Sequence, residues 1–552
     1  MTDVDVVVIG SGAGGLTAAV ALAQAGKKVL VLEQHDVPGG WCHSFTLEGY
    51  KFSPGVHYIG ELQEGGRMRA IYEGMGVSGD MDFCELNPDG YDHIVVGKER
   101  FDIPKGREEF AARLSARFPS EREGIRNYLD TTAQLGRELD SLMDVRGLRG
   151  LASLPKRAPA LTRWGLRSAQ SFINHHARDP VLRAILAGQC GDHGLPPSMA
   201  PAPVHASVTA HYFDGGYYPR GGAFVLPRAY VRALKRAGGE IRLKTAVSRI
   251  LMEQGKAIGV RLADGTEIRA GAVISNADPQ MTFTRLVGTE NLPATLRARL
   301  ALTRYSVSAL SLYMAVDMDA RAAGLDSGNL WYYSSPDVEG AYRQGMTSWN
   351  EQDSEISGMF LTVTTLKDPS KMVKGHHTME AFAFIGYDAF AQWADTTYGA
   401  RPDSYNRMKE ALRARLLATV NTMVPGLRER VVFSDVGTPL TNAHYCASTR
   451  GNLYGTQKSL LGVGPFAYPV RSAIGGLWMC GASTLSHGVM GATVSGLVAA
   501  RSILRCRVSD LLQQKGPALR IYPSEHPELW PENLRRRAGV NVSPEQQEHA
   551  DA

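Results

Sequence analysis

The sequence predicts an α/β protein in which a parallel sheet is gathered from separate stretches of chain, joined to an α+β unit of antiparallel strands and helices. Three observations predict it. A βαβ unit opens the chain at Val6-Val7-Val8-Ile9, alternating apolar runs fill the region from about Met281 to Val463, and a strand, a glycine and a helix follow one another between Gly476 and Ala500.

In the opening unit the β-branched run enters Gly10-Ser11-Gly12-Ala13-Gly14-Gly15, and a helical pattern of Leu16, Ala19, Val20 and Ala23 leaves it. Gly26 caps that helix, and Val29-Leu30-Val31-Leu32 forms the second strand. Gly10 permits the tight turn, Gly12 lets backbone approach a pyrophosphate, and Gly15 lets the helix pack close to the strand. The helix N-terminus then points free N–H groups at two phosphates. Glu33, directly after the second strand, stands where an acid accepts the hydroxyls of a ribose. The turn marks a dinucleotide site, but by itself it serves FAD and NAD equally.

Composition sets wider bounds. At 552 residues the chain is long enough for more than one domain, and a formal charge of +5 over that length implies no nucleic-acid partner. The six cysteines (Cys42, Cys84, Cys190, Cys446, Cys480, Cys506) are scattered, without a CxxC pair or zinc spacing, and read as reduced thiols in a cytosolic compartment. Only Met1 to Val4 precede the first strand, which leaves no room for a cleavable signal peptide. No apolar run approaches the roughly 18 residues of a membrane span, so any membrane contact is expected to be peripheral.

After Glu33 comes a polar loop with the glycine pair Gly39-Gly40, then Trp41-Cys42-His43, then Gly55-Val56-His57-Tyr58-Ile59-Gly60. Both loops leave the C-terminal end of the sheet, where open α/β folds keep their chemistry. From about Arg67 the character turns helical, and Ser120-Glu121-Arg122-Glu123 is a capping box for a helix with Ile125, Leu129, Leu135, Leu139 and Leu142 on one side.

Between Val145 and Arg178 lie seven basic residues (Arg146, Arg149, Lys156, Arg157, Arg163, Arg167, Arg178) and no acid. They are interleaved with Leu148, Leu151, Leu154, Leu161, Trp164, Leu166, Phe172 and Ile173. Two readings stand: a solvated basic surface over a core helix, or a docking surface for anionic lipid headgroups with Trp164 and the leucines dipping into the interface. Gly147, Gly150, Pro155 and Pro159 divide the stretch into short helices.

Further on, Gly215-Gly216-Tyr217-Tyr218-Pro219-Arg220-Gly221-Gly222 is a second glycine-rich turn, followed by a helix from Leu226 to Ala237 and a strand at Glu240-Ile241-Arg242-Leu243. Asp264-Gly265 signals a hairpin. Val273-Ile274-Ser275-Asn276-Ala277-Asp278-Pro279 reads as a buried strand ending in a turn, back in the nucleotide domain. Ala309 to Val316, Met359 to Val363 and Met379 to Phe384 alternate as an antiparallel sheet, and a helix with Tyr405, Met408, Leu412, Leu416 and Val420 covers one face. Beyond about Gln513 the polar, proline-containing composition predicts a loose extension. A second βαβ unit with its own GxGxxG does not occur in the sequence.

These residues resemble the phytoene desaturase-type flavoproteins, which share the architecture of the amine oxidases. The likeness rests on Gly10 to Gly15 with Glu33, the Gly39-Gly40 pair, Val273 to Pro279 and the closing strand–glycine–helix. Glu33-Gln34-His35, Gly39 to His43, Gly55 to Gly60, Gly194-Leu195-Pro196-Pro197-Ser198, His211-Tyr212 and Gly215 to Gly222 look closest to the all-trans-retinol 13,14-reductase (retinol saturase) and carotenoid isomerase branch. Many desaturases of the group carry Arg after the glycine pair, whereas this chain has Trp41.

The resemblance implies a Rossmann-like FAD-binding domain of amine oxidase and phytoene desaturase type, built from residues 1–65, 220–285 and 465–508. It implies a substrate domain from 66–219 and 286–464, with 145–178 as the membrane-docking candidate and 509–552 as a C-terminal extension. Gly10, Gly12, Ala13, Gly14 and Gly15 would cradle the pyrophosphate, Glu33 the adenosine ribose, and Val247 would meet the adenine through its backbone. Gly39, Gly40 and Trp41 would flank the cofactor, and Gly481 with Gly491, Ala492 and Thr493 would set helix N–H groups near the flavin ring.

Flavin chemistry at a carbon–carbon bond needs an apolar channel beside the ring and one acid or base. The candidates are His57, Tyr58, His211 and Tyr212, with His43 and His487 behind them. For each of these, a packing or cofactor-orienting role is the competing reading. His205 and His211, six apart, lack a third ligand, so no metal is expected. The expected function is an FAD-dependent oxidoreductase acting on C=C bonds of a long apolar lipid of retinoid or carotenoid type, saturase-like. Electrons would come from or go to NAD(P)H or another partner. Desaturation, isomerisation, a fatty acyl or amine substrate, and a non-enzymatic flavin- or lipid-binding protein stay open as alternatives.

Overall fold

The computed structural model describes residues 2–142, 153–347 and 356–540. Its first layer is a sheet centred on Val4–Ile9, flanked in parallel by Glu267–Ser275 and Val29–Leu32. Leu477–Met479 and Glu240–Arg242 extend it in parallel on either side. Val6, Val7 and Val8 are fully buried, as both faces of a covered parallel sheet require. Glu267–Ser275 also closes a hairpin: it pairs antiparallel with Lys256–Leu262 across the Asp264-Gly265 turn, where Gly265 adopts a φ of +91°.

Two helices, Ala13–Gln24 and Gly488–Leu504, cross over this sheet. Glycine sets how closely they approach. A Cβ on Gly15 would lie 2.2 Å from Gly10 O, and one on Gly496 would lie 2.3 Å from Gly14 O.

The second layer is a seven-stranded sheet in the order Val431–Gly437, Ser308–Val316, His377–Ile385, Gly358–Val363, Asn329–Tyr333, Asp92–Val96, Glu99–Ile103. Three of these strands are the predicted alternating runs. The sheet is mixed, because Asn329–Tyr333 and Asp92–Val96 pair in parallel. Alternation divides its two faces. Leu310, Leu312, Met314 and Leu361 pack with Leu412, Leu416 and Val420 of the helix Asp403–Met423, while Ala309, Ser311, Phe360 and Phe382 face a cavity. Helices from the 122–211 region, including Arg122–Leu142 and Ala202–His211, contribute the opposite wall. The first of these is entered through a short 3-10 turn, Pro119–Glu121.

Two expectations are corrected. The tail is not loose over its described part: Arg520–Pro523 pairs in parallel with Asp82–Glu85, and Trp530, 2% exposed, packs on Cys84 and Leu534. Leu519, Trp530 and Leu534 are buried while the residues between them in sequence are mostly polar, and composition averages over these few anchors. In the basic stretch, Trp164 does not dip outward. It is 1% exposed, edge-on to Phe172 at 4.9 Å, with the guanidinium groups of Arg163 and Arg167 over its ring at 5.2 and 5.3 Å. Phe172 and Ile173 are buried with it, whereas Leu166 is 82% exposed. Arg146, Arg149, Leu148 and Leu151 lie outside the described residues. Among the described residues, no helix is long and apolar enough to cross a membrane.

Candidate functional site

One cavity of about 1350 Å³ begins at the first glycine turn and ends among the aromatic side chains of the second sheet. At its first end the wall is Gly10, Gly12, Ala13 and Gly14, with Glu33 and Val247 beyond them. Ser11 ties this cradle together. Its Oγ donates to Glu33 Oε2 at 2.6 Å and accepts from Gly39 N–H at 3.1 Å, while its own N–H donates to the same Oε2 at 2.9 Å. Glu33 Oε1 accepts from His35 N–H at 2.9 Å, so the carboxylate is fixed and still opens on the cavity.

At the next segment Gly39, Gly40 and Trp41 line one side and Gly481, Gly491 and Ala492 the other. The helices beginning at Ala13 and Gly488 both lack a side-chain cap at their N-termini, and both termini border the cavity. Their free N–H groups fit an anion: the pyrophosphate of a dinucleotide at the first, and an electron-rich flavin edge at the second. Gly15 and Thr493 stand off the wall. Gly15 serves the helix–strand packing described above, and Thr493 is buried inside its helix.

The four candidate acid–base residues all border the deeper part of the cavity, but they do different things. The His57 ring packs against Phe360 and Phe382, with Nδ1 3.1 Å from Glu380 Oε2. His211 Nε2 accepts from Gly60 N–H at 3.0 Å, and its Nδ1 lies 3.6 Å from Glu61 Oε1. It therefore holds the Gly60 loop. Tyr212 stacks on Tyr58 at 4.3 Å with the planes 12° apart. His43 Nδ1 bonds Gly40 O at 2.6 Å behind the cradle, and His487 Nε2 donates to Asp192 O at 2.8 Å.

Tyr58 carries the most informative contacts. Its hydroxyl is 2.9 Å from Asp192 Oδ2 and 3.0 Å from Asp92 Oδ2. Asp92 also accepts from Gln189 Nε2 at 2.8 Å and from Asn329 Nδ2 at 2.9 Å. Lys367 Nζ donates to Asn329 Oδ1 at 2.6 Å and to His57 O at 2.7 Å. Burial pushes Asp92 up to about 6, although its hydrogen bonds hold it back. Burial and then the neighbouring Asp92 charge push Asp192 up to about 8. Burial brings Lys367 down to about 7, and Lys458, on the cavity wall, down to about 7 as well.

Sequence reading missed Asp92, Asp192, Lys367 and Lys458. Asp192 is 134 positions from Tyr58, and no local spacing signals that pairing. It likewise missed that His205 is joined by Cys190 and His193, whose ligand atoms come within 4.8 Å of one another and of its own, while His211 turns to the loop at Gly60. Burial pushes the His205 ring down to about 4, so it is neutral there.

Comparison with known proteins agrees with this geometry. Residues 13–504 match the family model of flavin-containing amine oxidoreductases. The chain is similar to an all-trans-retinol 13,14-reductase of Danio rerio, 30% identical over 91% of this chain and 86% of that protein. It is also similar to a chloroplastic prolycopene isomerase of Daucus carota, 28% identical over 93% of this chain and 82% of that protein. Among solved structures, an oxidoreductase from Methanosarcina mazei superposes with a TM-score of 0.62 at 18% identity, over 91% of this chain and all of that one, a likeness of fold.

Proposed function

The chain belongs to the family of flavin-containing amine oxidoreductases and is an FAD-dependent oxidoreductase, and on that premise we propose that it adds hydrogen across a carbon–carbon double bond of a long apolar polyene of retinoid or carotenoid type. The observation that carries this reading is the single cavity that joins the dinucleotide cradle to an apolar channel walled by Phe360, Phe382, Leu161 and Val208. Such a channel suits a polyene chain, which offers nothing for hydrogen bonds to grip and is held by burial and shape.

Bound FAD, when reduced, supplies two electrons and one hydrogen. The protein does the rest. Gly10 to Gly14 and Glu33 hold the dinucleotide end, the uncapped Gly488 helix offers N–H groups to the ring end, and the aromatic walls exclude water from the reacting bond. The reductant that loads the flavin is a nicotinamide or another two-electron donor.

The experiment is spectral. Anaerobic protein with reduced FAD is mixed with all-trans-retinol, and return of the oxidised flavin spectrum supports the reading. Bleaching of oxidised FAD by an amine, with no response to polyenes, contradicts it. A second reading, isomerisation of a cis polyene, is supported by the likeness to the carrot prolycopene isomerase and is distinguished by product without net flavin oxidation.

We also propose that the cavity mouth rests on an anionic lipid surface. Leu166 and Phe466, 82% and 51% exposed, are both cavity-wall residues, and Lys156, Arg157, Arg163 and Arg167 are exposed in the same stretch of chain as the first. Apolar side chains ringed by cations favour a headgroup interface. Liposome flotation tests this: charge reversal at Arg157, Arg163 and Arg167 with Leu166→Ser should release the protein from anionic vesicles, and unchanged binding would remove the stretch from the reading.

A further inference from the structure

We infer that Asp192 is the acid that protonates the substrate carbon, with Tyr58 and Asp92 as the residues that hold its proton in place. This rests on the proposed reading of C=C reduction. A tyrosine hydroxyl has one hydrogen and can donate to one acceptor only. Tyr58 Oη nevertheless sits within hydrogen-bond distance of two carboxylate oxygens, at 2.9 Å from Asp192 and 3.0 Å from Asp92. If both acids were ionised, one oxygen would face the tyrosine lone pairs with no hydrogen between them, and two negative charges would share one buried hydroxyl. A second hydrogen is therefore present, and it lies on one of the two carboxyls.

The neighbours decide which. Lys367 Nζ can only donate, so the atom of Asn329 facing it is the oxygen, and Asn329 presents its NH2 to Asp92 Oδ1. Gln189 Nε2 donates to Asp92 Oδ2, the oxygen that also takes Tyr58. Asp92 is surrounded by donors and is the carboxylate. Asp192 borders the cavity and carries the proton. The chain of bonds runs from Asp192 Oδ2–H to Tyr58 Oη, and from Tyr58 O–H to Asp92 Oδ2. Its ordering fits Asp192 being pushed up to about 8 and Asp92 only to about 6.

Other titratable groups pack around the network. Tyr212 stacks on Tyr58, Tyr454 Oη donates to Gly191 O, and His487 donates from Nε2 to Asp192 O. His487 is neutral, held down to about 4 by burial first and then by Lys458, and burial also holds the adjacent His193 well below its usual range. Lys367 stands 5.9 Å from the centre of the Tyr58 ring, on the Asp92 side of the network. None of these contacts replaces the missing hydrogen on Asp192.

In the step, the π bond of the alkene breaks and two C–H bonds form. One carbon receives a hydrogen with two electrons from reduced FAD, and the other receives the Asp192 proton. Rotation about the Asp192 Cβ–Cγ bond turns the O–H from Tyr58 into the cavity, an easy motion for a carboxyl. Asp192 is left ionised and recovers a proton from solvent when product leaves.

Two measurements test this independently. The first needs no substrate: infrared titration of the FAD-loaded protein should show a protonated-carboxyl band that disappears near pH 8 and is absent from Asp192→Asn. No such band in the wild type, or its survival in Asp192→Asn, overturns the assignment. The second uses dithionite-reduced protein, all-trans-retinol and D2O. Wild type should place two solvent deuteriums in the product, one by way of the reduced flavin, whose transferable hydrogen exchanges with solvent, and one from Asp192, with a rate that falls above about pH 8. Asp192→Asn should lower flavin reoxidation by about 10²–10⁴-fold without changing FAD affinity and should lose that alkaline limb, and Asp192→Glu should recover part of the rate. An Asp192→Asn rate within about twofold of wild type, with the limb intact, overturns the proposal. If wild type does not reoxidise at all, the reading of the reaction fails while the infrared result still judges the acid.

Discussion

Ser11 holds Glu33 with two hydrogen bonds to one oxygen, from Oγ at 2.6 Å and from the backbone N–H at 2.9 Å. The acid at the end of the second strand is thereby aimed before any ribose arrives. Glu33→Ala removes a charged acceptor worth about 1.5–3 kcal/mol, so FAD affinity should fall by about tenfold to a hundredfold. Titration of apoprotein with FAD, followed by flavin fluorescence, measures it. An unchanged affinity would place the ribose elsewhere.

The crossing of the two helices over the sheet is set at Gly14 and Gly496. A methyl on Gly496 would stand 2.3 Å from Gly14 O and forces the helices apart. Gly496→Ala should cost about 1–3 kcal/mol and lower flavin retention, because Gly14 is itself on the cradle wall. Thermal unfolding with and without added FAD reports both effects.

Trp530 anchors the tail. Its Nε1 donates to Pro523 O at 2.7 Å and its ring fills the space beside Cys84. Trp530→Ala should cost about 3–5 kcal/mol and open the segment after Gln513 to proteolysis. Equal protease resistance in both proteins would return the tail to the loose extension its composition suggests.

His93 links folding to pH. It is 1% exposed and lies between Asp102 Oδ1 at 2.6 Å and Asp326 Oδ1 at 2.8 Å. Burial works against its charge, but the two acids outweigh it and raise the ring to about 8. A folded value above the ordinary value of about 6.5 means stabilisation that is full below about pH 6.5 and lost as pH rises through 8. The loss should total about 2 kcal/mol from well below pH 6.5 to well above pH 8, and it should vanish in His93→Gln. Urea unfolding across that range checks the sign.

Legibility in the sequence followed the range of the interactions. Gly10 to Gly14, Glu33 and the closing strand–glycine–helix are local patterns, and they border one cavity, as does Val247, which only the family resemblance pointed to. The alternating runs at Ala309, Met359 and Met379 are strands because period two is also local. Asp92 and Asp192 were invisible because their meaning comes from a hydroxyl far away in sequence. Trp164 misled for a related reason: it is buried against Phe172 with two guanidinium groups over its ring, and a spacing pattern does not show which of the interleaved apolar residues turn inward.

The mass of the product tests the central claim most directly. Protein carrying reduced FAD, incubated anaerobically with all-trans-retinol, should yield a product two hydrogens heavier, in an amount matching the flavin oxidised. A product of unchanged or lower mass, or none from any polyene offered, would contradict it.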